Sequence, residues 1–223
     1  KLYAIVRQWS EKYGVTLTDA DREEIAQQRA QYVSYYGSEE AYQNQLRLLG
    51  ISEESFNTIN EAAYYYANLA KLFCNEDGAQ RPSDETLIAF AADNGYCTAK
   101  TLYVRTSGLD EAALAEKRSQ LEAAAEQLRA AEDKDAAYLE LAASLGIETN
   151  GSALTFRASD VSDAAAEILS PLQSGEVSDI VEGSDVLYVF LMQEPDCTTL
   201  AQYYFNQLVS DAQTNAKVET SRA

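Results

Sequence analysis

The sequence Leu-Gln-Ser-Gly-Glu-Val-Ser occupies residues 172–178, and the apolar run Val-Leu-Tyr-Val-Phe-Leu-Met follows at residues 186–192. Pro171 and the polar residues after it predict that a helix over residues 162–169 ends there, because proline cannot continue a helix. The β-branched and aromatic residues predict strands over residues 177–181 and 186–192. This segment is therefore predicted to be a short helix followed by a pair of strands.

The residues that precede this segment predict further strands and helices. Residues 101–104 are rich in strand formers, and residues 154–156 favour a second, short strand. Between them, residues 110–131 and 135–145 are rich in helix formers such as alanine, glutamate and leucine, which predicts two helices. The order strand, helix, helix, strand, helix, strand, strand is typical of an α+β domain.

Both ends of the chain are predicted to be helical. Thr18, Ser38 and Ser52 each precede acidic residues, so that a hydroxyl can cap a helix whose first turn carries carboxylates. Apolar residues recur at helical spacing after these caps. After Pro195, a closing helix is predicted from Leu200 to about residue 216, and its apolar side needs a partner elsewhere in the chain.

The composition excludes several classes of function. The formal net charge is −19, so the phosphate backbone of a nucleic acid would be repelled. The sequence contains no histidine, which excludes Ser-His-Asp and Cys-His hydrolases and the usual zinc sites, and we expect no metal or cofactor. No run approaches the roughly 18 apolar residues that a membrane-spanning helix needs.

Three stretches of the sequence resemble secreted foldases of the PrsA and SurA type, which belong to the parvulin family. The first is residues 40–54, where Leu-Gly-Ile-Ser-Glu-Glu joins two predicted helices. The second is Gly-Glu-Val-Ser at residues 175–178 with the strand at residues 188–191, and the third is residues 216–219 near the end of the chain. Together these stretches span almost the whole chain.

The resemblance implies an architecture, a location and a class of partner. It implies an all-helical, chaperone-like domain built from residues 1–95 and 197–223, with a parvulin-like antiparallel sheet domain inserted over residues 98–196. It also implies an extracytoplasmic protein whose partners are unfolded or secreted polypeptides. Contact with a membrane is expected only through a lipid anchor, which would precede Lys1.

The same resemblance locates a prolyl-isomerase site that has lost most of the family's side chains. The two facing histidines of the family fall on Thr101 and on Tyr188, or on Leu187 if the loop gap is placed differently. The acidic or cysteine position falls near Glu148. The prolyl pocket falls on four residues, namely Ala153, Phe156, Val161 and Ala165. Because catalysis requires the twisted proline to be held, we expect a catalytically weak or inactive domain, with Thr101 and Tyr188 as a cross-strand pair.

The sequence leaves three functions open: a chaperone with little or no isomerase activity, an active peptidyl-prolyl isomerase, and a binding or scaffold module. The 15 tyrosines favour the chaperone if they form a surface for clients, because tyrosine joins a large apolar area to a polar tip. The candidates for this surface are Tyr35, Tyr36, Tyr64, Tyr65 and Tyr66. The alternative is an ordinary helical core, although three adjacent tyrosines cannot all face inward from one helix.

The three cysteines are Cys74, Cys97 and Cys197. In the resembling fold, Cys97 precedes the first strand and Cys197 follows the last strand of the inserted domain, and these strands are antiparallel neighbours. The resemblance therefore permits a Cys97–Cys197 disulfide at the base of that domain, with Cys74–Cys197 as the second candidate. The alternative is three buried free thiols.

Overall fold

The structure is a computed structural model that describes residues 1–216 of the chain. Its α-helices are α1 Leu2–Tyr13, α2 Asp19–Tyr36, α3 Glu39–Leu48, α4 Glu53–Cys74, α5 Asp84–Asn94, α6 Glu111–Ala130, α7 Lys134–Ser144, α8 Asp163–Leu169 and α9 Cys197–Asn215. Its strands are β1 Tyr96–Arg105, β2 Leu154–Arg157, β3 Val181–Glu182 and β4 Val186–Met192. Residues 217–219, part of the third resembling stretch, lie outside the described residues.

The chain divides into two compact units. Among the described residues, a helical unit contains Lys1–Pro82 and residues 201–216, and a sheet unit contains Ser83–Leu200. The predicted α+β class, with a four-stranded antiparallel sheet inserted into a helical chain, is confirmed. Helix α5 belongs to the sheet unit, where Phe90 contacts Tyr96 of β1 with ring centroids 5.7 Å apart. The predicted boundary at residue 95 had instead assigned α5 to the helices.

The helical unit forms its helix starts from local side-chain chemistry. The Thr18 hydroxyl accepts the Asp21 N–H at 3.1 Å while the Asp21 carboxylate accepts the Thr18 N–H at 2.8 Å. Ser38 and Ser52 cap α3 and α4 in the same way, each accepting an N–H three residues further along. Such a cap typically stabilises a helix by about 1 kcal/mol. The three predicted hydroxyl caps are therefore confirmed.

The closing helix α9 completes the core of the helical unit. Phe205 is fully buried and packs with Val6 of α1 and with Leu69 and Phe73 of α4. The Phe205 and Phe73 ring centroids lie 5.3 Å apart. Burial of a large side chain of this kind contributes roughly 1.5–3 kcal/mol. The apolar partner that the sequence required for the closing helix is thus supplied by the first and fourth helices.

The sheet unit places different helices on the two faces of its sheet. The strand order is β2-β1-β4-β3, and all neighbouring strands are antiparallel. Helices α6 and α7 pack on one face, around Leu102, Leu121 and Val189. Helix α8 packs on the other face, around Ala165 and Phe190. Because side chains alternate along a strand, residues two apart in β1 or β4 share a face.

The last part of the sheet is shorter than predicted. The strand predicted over residues 177–181 is reduced to β3 and to a single bridge between Val177 and Leu191. Between them, the Phe190 N–H donates to the Ser178 Oγ at 2.9 Å. A serine side chain therefore takes the position of a backbone acceptor, and the regular ladder is interrupted there. In residues 1–216, no helix is both long enough and apolar enough to cross a membrane.

Candidate functional site

The sheet face beneath α8 carries the residues to which the sequence assigned the isomerase site. Thr101 shares this face with Ala99 of β1, and Tyr188 shares it with Phe190 of β4, because alternate residues of a strand point the same way. Ala99 and Phe190 are buried in one apolar cluster with Ala165 of α8. The structure therefore brings Thr101 and Tyr188 to one face.

The register of β1 and β4 differs from the predicted pairing. Thr101 lies opposite Phe190, and Tyr188 lies opposite Tyr103. The predicted direct pair of Thr101 and Tyr188 is therefore wrong by two residues, and the two side chains are diagonal neighbours. A shift of two residues keeps every side chain on its own face, so the apolar pattern is equally consistent with both registers.

A row of three aromatic rings fills this face. Phe190 is only 2% exposed, and its ring centroid lies 5.3 Å from that of Phe156 on β2 and 5.7 Å from that of Tyr188. The Tyr188 ring also lies against Gly183, where an added Cβ would come within 2.8 Å of it. Phe190 was not among the predicted site residues. Its alternation with Tyr188 was the signal in the sequence that could have identified it.

The predicted prolyl pocket is only partly assembled. Phe156, Val161 and Ala165 all pack in the cluster around Phe190, and Ala165 is fully buried. The Ser162 hydroxyl caps α8 by accepting the Ala165 N–H at 3.2 Å, which holds the helix start against the sheet. Ala153 lies before β2 and is not among the side chains of this cluster. The small Val161 and Ala165 side chains thus belong to one apolar cluster with the rings of Phe156, Tyr188 and Phe190.

Glu148 is exposed in the loop after α7, and no hydrogen bond within residues 1–216 joins it to Thr101 or Tyr188. The neighbouring contact to β1 is made by Tyr138 instead, whose hydroxyl donates to the Thr101 carbonyl oxygen at 3.3 Å. That contact comes from the face covered by α6 and α7, since Tyr138 is buried in their cluster. The structure therefore does not bring Glu148 to the ring-filled face.

Cys97 is a partly buried free thiol on the same face as Thr101. Its Sγ lies 3.8 Å from the Phe156 carbonyl oxygen, and burial raises the pKa of the Cys97 thiol to about 11. Because Cys97 and Cys74 carry free thiols, neither the Cys97–Cys197 nor the Cys74–Cys197 disulfide is formed in the structure. Cys97 pairs with Phe156 of β2, which directs its side chain into the apolar cluster.

A cavity of about 730 Å³ lies beside the first residues of β1. Residues of α5, the end of α8 and the segment after β4 line it, among them Ile88, Cys97 and Leu169. Thr101, Phe156 and Tyr188 are not part of its lining. In the described part of the chain, no group of three or more acidic or cysteine side chains is arranged to hold a metal ion.

The five predicted client-binding tyrosines do not form one surface. Tyr35 is 83% exposed and contacts the partly exposed Tyr36, with ring centroids 5.1 Å apart at the end of α2. Tyr64 accepts a hydrogen bond from Gln28 at 2.8 Å. Tyr65 and Tyr66 pack against the core around Phe205. The structure therefore combines the surface interpretation, for Tyr35 and Tyr36, with the core interpretation, for Tyr65 and Tyr66.

The comparison with protein families gives one match. Residues 96–202 match the PPIC-type PPIase domain, that is, the peptidyl-prolyl isomerase domain of the parvulin class. The matched range contains the whole sheet, both predicted histidine positions and the predicted pocket. The predicted parvulin resemblance is thus confirmed for this domain. No curated protein sequence matches the chain.

Solved structures of foldases and chaperones are similar to the chain at low sequence identity. The foldase PrsA from Streptococcus pneumoniae is 17% identical, with 98% of this chain and 85% of that chain covered and a TM-score of 0.36. The peptidylprolyl isomerase PrsA from Bacillus anthracis is 14% identical, with coverages of 98% and 97% and a TM-score of 0.36. A structure from work on two SurA-like chaperones of Campylobacter jejuni is 12% identical, with 99% of this chain and 85% of that chain covered and a TM-score of 0.25.

Proposed function

We propose that this chain, which carries a PPIC-type PPIase domain over residues 96–202, is an extracytoplasmic folding factor that binds unfolded polypeptides. In this proposal the helical unit binds clients, and the isomerase domain is catalytically weak or inactive. The clients are unfolded or secreted polypeptides with a basic character, because the chain carries a net charge of −19.

The observation that carries the proposal is the position of Phe190 opposite Thr101. An isomerase must lower a barrier of about 18–20 kcal/mol for rotation about the X-Pro bond, and it does so by holding the twisted proline. Phe190 is buried between Phe156 and Tyr188. In this proposal its ring fills the space that a bound proline ring would need. The chain contains no histidine that could polarise the amide, so the fold is retained without the side chains of the reaction.

Exposed apolar side chains support client binding by the helical unit. Tyr35 is 83% exposed, Leu48 is 82% exposed and Leu49 is 61% exposed. Leu48 and Leu49 lie at the end of α3, and Tyr35 lies near the end of α2. Leu48 and Leu49 are adjacent, and adjacent large exposed apolar side chains are typical of interaction surfaces.

Two assays on the purified protein test the proposal. We expect the chain to suppress aggregation of a chemically denatured client, and we expect it to leave the rate of a proline-limited refolding reaction nearly unchanged. The double variant Tyr35→Ala, Leu48→Ala should suppress aggregation less well. The matched control is Ile88→Ala, which truncates an exposed side chain of the sheet unit. If the client aggregates as much in the presence of the protein as in its absence, the client-binding role is ruled out.

The match to the PPIC-type family favours an active isomerase as the second candidate. A clear acceleration of proline-limited refolding would support this candidate over the first. Glu148 would then be the first residue to replace by glutamine, because a carboxylate near the amide could act electrostatically. Because Glu148 lies in an exposed loop, it could act on the amide directly only if that loop moved toward the sheet.

A further inference from the structure

A cleft of about 540 Å³ lies between α1 and α4 of the helical unit. Its lining residues recur at helical spacing on both helices, which shows that one face of each helix forms a wall. Val6 and Ala62 are buried at 3% and 8% exposure and provide apolar contact area, and Tyr3 and Tyr65 also line the cleft. None of these residues belongs to the isomerase domain.

The cleft contains a buried hydroxyl that lacks a hydrogen-bond partner. Ser10 of α1 is 4% exposed and lines the cleft, and its Oγ has no partner among the described residues. A buried polar atom is normally satisfied, because leaving it unpaired costs stability. A ligand that brings a polar group into the cleft would satisfy Ser10, whereas a purely hydrocarbon ligand would not.

The charges around the cleft favour a cation. Glu61 of α4 lines the cleft, is only partly exposed, and forms no ion pair with any residue that the structure describes. The other charged residues in the lining are Glu11 and Arg7, which pair with each other at 3.4 Å on the surface. Arg7 is thus already paired with Glu11, and Glu61 is the carboxylate of the lining that is free to attract a positive group.

We propose that this cleft binds a basic side chain, lysine or arginine, of an extended polypeptide. The aliphatic stem packs against Val6, Ala62 and Tyr65, and the cationic head meets Glu61. A polar group of the bound segment forms the missing hydrogen bond with Ser10. This site rests on the proposed function and deepens it, because it identifies α1 and α4 as the helices that recognise basic side chains of the clients.

The test uses two unstructured, proline-free heptapeptides with blocked ends and a fluorescent label. One has a central lysine and the other has norleucine, which keeps the stem and removes the charge. We expect the lysine peptide to bind the full chain about fivefold more tightly, as measured by fluorescence anisotropy. Glu61→Gln should abolish this difference. Glu76→Gln, which removes an exposed carboxylate outside the cleft lining, should preserve it.

Ser10→Ala gives a second, independent readout. It removes the unpaired hydroxyl, so the thermal unfolding midpoint should stay the same or rise while both peptides bind more weakly. A lower midpoint with unchanged peptide binding would show that Ser10 has only a structural role and would overturn its assignment. This variant also covers the case in which Glu61→Gln does not fold.

Equal binding of the two peptides by the unmodified chain would overturn the inference, and so would an equal loss in Glu61→Gln and Glu76→Gln. The aggregation assay separates this failure from failure of the proposed function. Suppressed aggregation with equal peptide binding would reject the cleft and retain the chaperone. Lysine-selective binding that depends on Glu61, without any suppression of aggregation, would retain the cleft and reject the chaperone.

Discussion

Phe190 is the cross-strand partner of Thr101, and its ring lies between those of Phe156 and Tyr188. This arrangement separates two causes of the catalytic weakness that we propose. One is the absence of the histidines, and the other is the aromatic side chain that fills the face on which they would act. The two causes can be tested separately. Histidines can be introduced at Thr101 and Tyr188, and these two substitutions leave Phe190 unchanged.

The double variant Thr101→His, Tyr188→His should remain a poor isomerase. Introducing both imidazoles leaves Phe190 in place, so under the proposed function a proline ring still has no open pocket. We expect turnover of an Xaa-Pro peptide to stay more than about tenfold below that of an active parvulin assayed in parallel, a deficit of about 1.4 kcal/mol or more in the barrier. Turnover less than about tenfold below that of the active parvulin, in the variant or in the unmodified chain, would show that the filled face does not limit catalysis.

Phe205→Ala should strongly destabilise the helical unit. The side chain is fully buried among residues of α1 and α4, and truncation of a buried phenylalanine typically costs about 3–5 kcal/mol. Urea unfolding followed by circular dichroism measures the change. The control is Tyr35→Ala, which removes an 83% exposed ring and should change the unfolding free energy by no more than about 0.5 kcal/mol. Equal effects of the two substitutions would contradict the assignment of α9 to this core.

Glu39→Gln should reduce stability at neutral pH and lose its effect in acid. Arg29 donates hydrogen bonds to the Glu39 carboxylate, and this holds the pKa of Glu39 below its ordinary value of 4.5. A carboxyl whose pKa is lower in the folded state contributes stability above the unfolded value, and that contribution is lost as the pH falls through the folded value. The variant and the unmodified chain should therefore converge as the pH falls below 4.5 and through the lower folded pKa of Glu39.

Urea unfolding of both proteins at pH 7, pH 4 and pH 3 measures this convergence. The matched control is Glu40→Gln, which removes the neighbouring exposed carboxylate and leaves Arg29 paired with Glu39 and Glu53. We expect the control to show a smaller effect at neutral pH than Glu39→Gln. A constant difference between Glu39→Gln and the unmodified chain across the pH range would contradict a role for the ionised carboxylate.

Cys97 should react slowly in the folded protein and quickly after denaturation. Its side chain is partly buried, and burial raises the pKa of its thiol to about 11, so the reactive thiolate is scarce at neutral pH. Labelling with a maleimide, with and without denaturant and without reductant, followed by peptide mapping, gives the rates. Recovery of a peptide that contains Cys97 linked to Cys197 would instead establish the disulfide that the strand order permits. Cys97→Ala is the control for assignment of the labelled peptide.

The local part of the structure was predictable from particular residues. Thr18, Ser38 and Ser52 cap helices because each hydroxyl reaches an N–H only three residues away, so the interaction depends on few distant neighbours. The β-branched and aromatic residues at 186–192 likewise predicted β4. Of the predicted pocket residues, Phe156, Val161 and Ala165 were found together, and Ala153 was not.

The sequence by itself determined the helix starts, the strand faces and the absence of an imidazole, because these depend on residue type and on neighbours along the chain. Only the tertiary structure decided that Thr101 faces Phe190, since a strand shifted by two residues presents the same faces with different partners. It also decided that Ser10 and Glu61 line one cleft, because α1 and α4 are distant in the chain and meet only through packing. Contacts between distant residues depend on the shape of the whole core, which no local pattern specifies.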